Sequence, residues 1–131
     1  MSEFEIQKWL SNITETIKNK DIKKHMELVS KNVAVYGLPN GKTLNYADWK
    51  KRRQSEFKRG LINSIQYNKL NIKNFGLRRL TFKIEEITDG SDKELLVVNK
   101  EIILEQEEDN QWRVVEENIK NWKFLISRKI K

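Results

Sequence analysis

The spacing of apolar residues predicts three helices in the first half of the chain. Near the N-terminus apolar positions recur every three or four residues, as in an amphipathic helix of about four turns; they are Ile6, Trp9, Leu10, Ile13 and Ile17. Asp21 is a good N-cap for a second helix, which residues 30–32 end. The buried face of this helix is expected to hold Ile22, His25, Met26 and Val29. Asn45 caps a third helix over residues 46–58, and Gly60 terminates it.

A change of period to two predicts that strands follow the third helix. Before it, short strands at residues 33–35 and 42–44 flank a turn containing Gly37, Pro39 and Gly41. After it, alternation predicts a long strand from residue 61 and further strands at 80–84, 95–104 and 112–124. The alternation slips by one near Asn68 and Lys69, as at a β-bulge, so we expect a strongly curved sheet. An Asp-Gly turn is expected at residues 88–92 and a basic tail at 125–131.

Length and composition favour a single domain over residues 1–131. The chain has 131 residues, 37% of them hydrophobic, which suffices for one core. It has no cysteine and one histidine, so neither a disulfide, a metal site nor a cofactor is expected. The N-terminus lacks the basic and then apolar pattern of a signal peptide, and no apolar window approaches the ~20 residues of a membrane span. We therefore expect a cytoplasmic protein that does not enter membranes.

The net charge of +7 raises the question of nucleic-acid binding. Residues 1–84 hold 18 Lys and Arg against 7 Asp and Glu, and the rest hold 8 against 12. The positive residues on the third helix wrap around it instead of forming one stripe; they are Lys50, Lys51, Arg52, Arg53, Lys58 and Arg59. Asp48 and Glu56 lie four residues either side of Arg52 and partly neutralise it. A solvated face is the expected interpretation, and binding of nucleic acid is a weak alternative.

The order of elements and four short motifs resemble the nuclear transport factor 2-like superfamily, in particular its SnoaL-like branch of small single-domain proteins. The motifs are D-I-x-x-H-x-x-L from Asp21, V-A-V-Y-G from Val33, Y-A-D-W from Tyr46 and W-R-V-V-E-E from Trp112. The resemblance covers about residues 4–122. It implies a cone-shaped α+β fold, also called cystatin-like, with three N-terminal helices packed on a strongly curved mixed or antiparallel sheet around a pocket. The superfamily contains enzymes and non-catalytic modules, so the fold does not imply one function.

Alignment with the ketosteroid isomerases of that superfamily argues against their chemistry. Their tyrosine, general base and protonated aspartate fall at Ile13, Gly37 and Ile102, which cannot move a proton or hold an enolate. The same alignment points the alternate residues Arg113, Val115, Glu117 and Ile119 toward the pocket. Trp112, Val114 and Trp122 would then lie on the outer face, where a second subunit would cover them in a homodimer. An offset of one residue in the preceding hairpin would exchange the two faces.

Glu117 is the candidate general base, because a carboxylate on the inward face of the last strand is placed for acid/base work. The alternative is an ion pair with Arg53 or Arg113. Arg53 itself could hold a ligand carboxylate, or simply emerge beside its basic neighbours. His25 is a weaker acid/base candidate, and a core or rim histidine is the expected interpretation.

The remaining candidates would line a pocket for a flat apolar molecule. They are Trp9, Ile13, Tyr36, Trp49, Arg53, Phe57, Tyr67, Arg113 and Ile119. Helical or strand spacing makes most of the aromatic ones ordinary core, and Tyr36 and Tyr67 are the best candidates for a hydroxyl in the pocket. The sequence thus predicts binding of an unidentified small apolar or aromatic molecule, with acid/base chemistry of the isomerase, cyclase or hydratase type. The alternative is a non-catalytic dimerisation or protein-interaction module.

Overall fold

The computed structural model describes residues 2–90 and 94–126, which form three helices and one five-stranded sheet. The helices are α1 (Ser2–Lys18), α2 (Ile22–Met26) and α3 (Tyr46–Arg59). The strands are β1 (Val29–Tyr36), β2 (Ile62–Phe75), β3 (Arg79–Gly90), β4 (Glu94–Gln106) and β5 (Trp112–Ile126). They are ordered β1-β5-β4-β3-β2, with β1 parallel to β5 and all other neighbours antiparallel. The predicted α+β class with a mixed sheet is confirmed; residues 91–93 of the expected turn region and 127–131 of the expected tail lie outside the described residues.

Local capping fixes the ends of the short helices as predicted. The Asp21 carboxylate accepts a hydrogen bond from the backbone N–H of Lys24 at 3.1 Å and so begins α2. Asn45 and Asp48 form a reciprocal capping box, with bonds of 2.9 and 3.2 Å between each side chain and the other's backbone N–H. Gly60 ends α3 in the left-handed conformation with φ of 67°.

Two predicted boundaries around β1 are wrong. Val29 was assigned to the second helix, but α2 ends at Met26 and Val29 begins β1. Val29 is aligned with Val114 of β5, whose N–H donates to the Leu28 carbonyl at 3.0 Å, so pairing with a distant strand overrides the helical spacing. The strand expected at residues 42–44 is reduced to one bridge, in which Leu44 and Val35 exchange hydrogen bonds of 2.9 and 3.1 Å.

Bulges bend the sheet and decide which side chains face the helices. The predicted bulge in β2 is confirmed by a register shift between Asn68 and Asn71, where Lys69 has φ of 59°. β5 contains two further shifts against β4, with Val115 and Lys120 as the extra residues. Each shift moves the following side chains to the other face of the sheet. The residues of β5 on the inner face are therefore Trp112, Val114, Glu117, Ile119, Trp122 and Phe124.

The predicted outer surface of Trp112, Val114 and Trp122 is therefore wrong. Val114 is 0% exposed in the core, Trp112 packs against that core, and Trp122 lines a cavity on the inner side. The outer face carries polar pairs, including Lys69 with Glu85, Lys120 with Glu101, and Asn99 with Asn121, and also apolar residues of β4 such as Val97, which is 3% exposed. Dimerisation itself stays a prediction, without the surface that the sequence assigned to it.

The core lies between the helices and the inner face of the sheet. Its completely buried members come from α1, β1, β3, β4 and β5; among them are Ile6, Ile17, Val29, Leu80, Phe82, Ile102 and Leu104. Within the described part of the chain, no helix has the length and apolar character needed to cross a membrane. The packed core fills the end of the sheet near α1 and leaves a cavity at the other end.

Candidate functional site

A cavity of about 470 Å³ opens between α3 and the ends of β3, β4 and β5. Most of its wall is apolar, supplied by side chains that the loop after β1, α3 and the inner face of the sheet bring together. These are Val35, Leu38, Pro39, Leu44, Trp49, Leu61, Ile62, Leu96, Val98, Ile119, Trp122 and Phe124. The volume lies in the range of pockets that hold small molecules.

Two aromatic rings form the mouth of this cavity. Trp122 and Phe124 line it and are also 44% and 57% exposed, so they stand where the cavity meets solvent. Their ring centroids are 5.8 Å apart at an interplanar angle of 78°, which is an edge-to-face arrangement. They reach this position because the shift at Lys120 turns the end of β5 inward.

Glu86, Lys100 and Glu117 form a charged floor inside the cavity. Lys100 Nζ donates to Glu86 Oε1 at 3.0 Å and to Glu117 Oε1 at 2.9 Å, and the three side chains are only 6–8% exposed. Lys100 lies on β4, between β3 and β5, and the two carboxylates come from these flanking strands as its diagonal neighbours. Three adjacent strands thus each contribute one inward charged residue.

Lys100 and Glu86 of the charged floor are held in their charged forms despite burial. Burial opposes ionisation of Lys100, but the charges of Glu117 and Glu86 and their hydrogen bonds outweigh it and raise the pKa of Lys100. Burial likewise opposes ionisation of Glu86, but attraction to Lys100 and Arg53 prevails and lowers the pKa of Glu86. Tyr67 lies near Glu86, and burial followed by repulsion from Glu86 and Glu117 raises its pKa well above 10. Tyr67 therefore stays neutral.

His25, on α2, is completely buried and accepts hydrogen bonds from two residues of α3. The Thr16 hydroxyl donates to the Ile13 carbonyl at 2.9 Å, so it accepts from His25 Nδ1 at 3.0 Å. His25 Nε2 accepts from Trp49 Nε1 at 3.1 Å and from Arg53 Nε at 3.3 Å. These partners fix the neutral tautomer with its proton on Nδ1, and burial and then the charge of Arg53 lower the pKa of His25 to about 3. Neither ring nitrogen is left for proton transfer in the cavity.

Arg53 lines the cavity and is held by its neighbours on two sides. Besides the bond from its Nε to His25, its Nη1 donates to Glu56 Oε1 at 2.9 Å. Burial opposes its charge, but attraction to Glu56 and Glu86 is larger and raises its pKa. Glu56 also pairs with Arg52 at 3.4 Å, so the helix that looks most basic in the sequence carries local neutralisation.

Of the predicted site residues, Trp49, Arg53, Glu117 and Ile119 line the cavity, and Tyr67 lies outside its lining, near Glu86. Trp9, Ile13 and Phe57 are core residues, and Trp9 Nε1 donates to the Leu28 carbonyl at 3.0 Å. Tyr36, at the end of β1, is exposed and outside the cavity lining.

Arg113, predicted to face the pocket, lies elsewhere because β5 has not yet reached its first shift. Its guanidinium donates to Asp109 at 2.8 and 2.9 Å, to Glu107 at 3.0 Å and to the Glu27 carbonyl at 2.9 Å. The hydrogen bond with Asp109 is the main cause that raises the pKa of Arg113. The predicted partners of Glu117, Arg53 and Arg113, are thus replaced by Lys100.

Sequence reasoning missed Lys100 and Glu86. Both stand at inward positions of otherwise apolar alternation, Lys100 between Val98 and Ile102 and Glu86 after Ile84. An interrupted alternation of this kind, once in each of two neighbouring strands and with opposite charges, was the available signal. Among the described residues, no group of three His, Asp or Glu could hold a metal ion.

Comparison with known proteins shows the fold and no more. No family model matches the sequence, and no curated protein matches it. The structure is similar to a nuclear transport factor 2-like protein of unknown function from Shewanella oneidensis, with TM-score 0.75 and 14% identity over 91% of this chain and 98% of that one. It is also similar to a protein provisionally assigned as a scytalone dehydratase from Novosphingobium aromaticivorans, with TM-score 0.74 and 11% identity over 99% and 89% of the two chains. A Nostoc punctiforme protein of unknown function with a cystatin-like fold matches with TM-score 0.68 and 10% identity over 89% and 88%.

Proposed function

We propose that this chain, which has the nuclear transport factor 2-like fold, binds a small, largely apolar or aromatic molecule in the cavity under α3. The observation that carries the proposal is the combination of an apolar wall, an aromatic mouth and a buried charged floor in one space of about 470 Å³. Ligand pockets have this composition, with a few polar groups that orient a mostly apolar ligand. A packed structural core would instead fill the space with side chains.

Glu117 is the group best placed for chemistry in this cavity. Its Oε1 is held by Lys100 at 2.9 Å, which fixes the carboxylate while the side chain lines the cavity. A fixed carboxylate can take a proton from a bound molecule, and the ammonium of Lys100 can stabilise the negative charge that develops. This supports acid/base chemistry of the isomerase, cyclase or hydratase type. One structural neighbour is provisionally assigned as a dehydratase, which is a reaction of this class.

Steroid isomerisation is not part of the proposal. The positions of that chemistry, Ile13 and Ile102, are buried in the core. Gly37 has φ of 87°, and a Cβ there would meet the Ile119 carbonyl oxygen at 2.3 Å, so the backbone leaves no room for a base at this place.

A blocked cavity tests the proposal. The neutral fluorescent probe N-phenyl-1-naphthylamine is titrated into the wild type and into Thr88→Trp, whose new ring would enter the cavity from β3. The matched control is Thr81→Trp, the same change on the outer face of the same strand. We expect saturable binding that Thr88→Trp abolishes and Thr81→Trp retains. Equal binding by the two variants, or no saturable binding by the wild type, would refute the proposal.

The alternative, a dimerisation module, is favoured by the exposed apolar residues near the mouth. Leu61, Trp122 and Phe124 are each 38–57% exposed, and a second subunit could cover them. Sedimentation equilibrium over a range of protein concentrations decides this point. A dimer that Phe124→Lys dissociates would support the alternative, and a monomer at every concentration would contradict it.

A further inference from the structure

If the cavity binds a small molecule, as proposed above, the charges around its floor select the end group of that molecule. Among the described residues, five charged side chains that line the cavity are less than one-fifth exposed; they are Arg53, Glu56, Glu86, Lys100 and Glu117. These are three carboxylates against two cations. Arg52 and Glu94 also line the cavity, but both are exposed, so water screens their charges. Glu56 is paired with both Arg53 and Arg52, so the shortage of one positive charge lies in the charged floor, where Lys100 alone faces two carboxylates, Glu86 and Glu117.

Of the carboxylates in the cavity, Glu117 is the one beside which an additional positive charge would be best placed. Glu56 receives hydrogen bonds from Arg53 and Arg52, and Glu86 receives one from Lys100 and is also stabilised by the nearby Arg53 and Tyr67. Glu117 receives only the bond from Lys100 to its Oε1, and within the described part of the chain no donor is bound to its Oε2. Because every buried side-chain nitrogen and oxygen of the described residues has a partner, Oε2 is the part of this carboxylate that is open to the cavity, where a bound molecule can donate to it.

We propose that the cavity takes a primary or secondary amine on an apolar or aromatic body, with the ammonium group on Glu117 Oε2. The ammonium would supply both the missing donor and the missing positive charge. The body would lie along Val98 and Ile119, toward the rings of Trp122 and Phe124. A ligand carboxylate on Arg53 is the opposite choice, and it would leave the buried groups with two excess negative charges. Arg53 already uses Nε for His25 and Nη1 for Glu56, which also argues against that role.

Three probes of nearly equal shape separate the alternatives. These are 3-phenylpropylamine, 3-phenylpropan-1-ol and 3-phenylpropionate, titrated at neutral pH by calorimetry and by NMR shifts of the Trp122 indole N–H. Since hydrogen bonds to charged groups are stronger than neutral ones, we expect the amine to bind about tenfold or more tighter than the alcohol. The carboxylate should bind weakest of the three.

The matched variants are Glu117→Gln and Glu116→Gln. They remove the same charge from adjacent residues, one lining the cavity and one on the outer face of β5, where Glu116 accepts from Asn118 at 2.8 Å. Glu117→Gln should reduce binding of the amine to the level of the alcohol, whereas Glu116→Gln should leave it unchanged. The amine proposal is overturned if Glu117→Gln binds the amine as the wild type does, or if the carboxylate binds as tightly.

The outcomes also separate this proposal from the one it rests on. Equal affinity for the three probes, with shifts at Trp122, would overturn the preference for an amine and support the cavity as a binding site. Absence of any shift at Trp122 with all three probes would overturn both.

Discussion

Replacing Lys100 by Met should destabilise this protein at pH 7, and the loss relative to the wild type should be smaller at pH 5. The change removes the shared partner of Glu86 and Glu117 and leaves two carboxylates in a buried space. At separations of 2.9 and 3.0 Å, each attraction is worth about 5.5 kcal/mol with an effective dielectric constant of ~20. Desolvation of the ions offsets much of that sum, so the expected net loss is the ~3–5 kcal/mol typical of a buried charge that loses its partner.

The direction with pH follows from the change in the Glu86 pKa. In the wild type this pKa is lowered, so the group stabilises the fold above its unfolded pKa and loses that contribution as pH falls through the folded value. In Lys100→Met, burial and repulsion from Glu117 would raise the Glu86 pKa instead. The stability deficit of the variant relative to the wild type should then be smaller at pH 5 than at pH 7; the loss from His25 on acidification is common to both proteins and cancels in this comparison.

Urea unfolding followed by tryptophan fluorescence measures both effects. With a typical m-value of ~2 kcal/mol/M, a loss of ~4 kcal/mol moves the midpoint at pH 7 by about 2 M. Lys83→Met is the control, because Lys83 is an exposed residue of β3 and its replacement should change stability by no more than ~0.5 kcal/mol. Equal midpoints for the two variants at pH 7, or a deficit of Lys100→Met relative to the wild type that does not shrink at pH 5, would refute the role given to the charged floor.

Two further predictions concern groups next to the cavity. Since its pKa in the folded protein is about 3, His25 should show no NMR titration between pH 8 and 5. As pH falls below 6.5, the His25 ring takes up a proton in the unfolded state before it does so in the folded state. His25 therefore contributes a stability loss of up to ~1.4 kcal/mol per pH unit between pH 6.5 and 3. His25→Asn should flatten that part of the profile, and a normal titration near pH 6.5 would contradict the buried acceptor role. Gly37→Ala should destabilise by more than the ~1 kcal/mol of a strained φ, because its Cβ would meet the Ile119 carbonyl oxygen at 2.3 Å. Gly41 also has a positive φ, of 74°, but a Cβ there would meet no atom, so Gly41→Ala introduces conformational strain without a clash. Thermal unfolding of the two variants therefore separates the two effects. Equal melting temperatures would show that no clash occurs at Gly37.

Features governed by neighbours in the chain were predictable from the sequence. Asp21, Asn45 and Gly60 act within three or four residues of themselves, so the ends that they set on α2 and α3 follow from local chemistry. The bulge near Lys69 was also visible, because the slip in alternation shows which residues must be buried on either side of it.

Features governed by distant pairing were not predictable in the same way. The register shift at Val115 follows directly after Val114. Because these two neighbours are both valines, hydrophobicity gives no sign of which one faces the core. The partners of Lys100 lie 14 and 17 residues away on other strands, and only the register of the sheet brings the three together. Glu117 could be singled out from its strand alone, but its counterion could not.

The parallel pairing of β1 with β5 has a consequence for how the protein is made. Val29 is aligned with Val114, and Tyr36 with Asn118, so a strand from the first third of the chain finds its only sheet neighbour within the described residues near the end. During synthesis β1 leaves the ribosome before its partner β5 and cannot pair with it until β2, β3 and β4 have also been made. Closing such a long loop is slow, and the waiting edge is open to other chains. Yield from cells should therefore depend on translation speed and chaperones more than on the final stability of the fold.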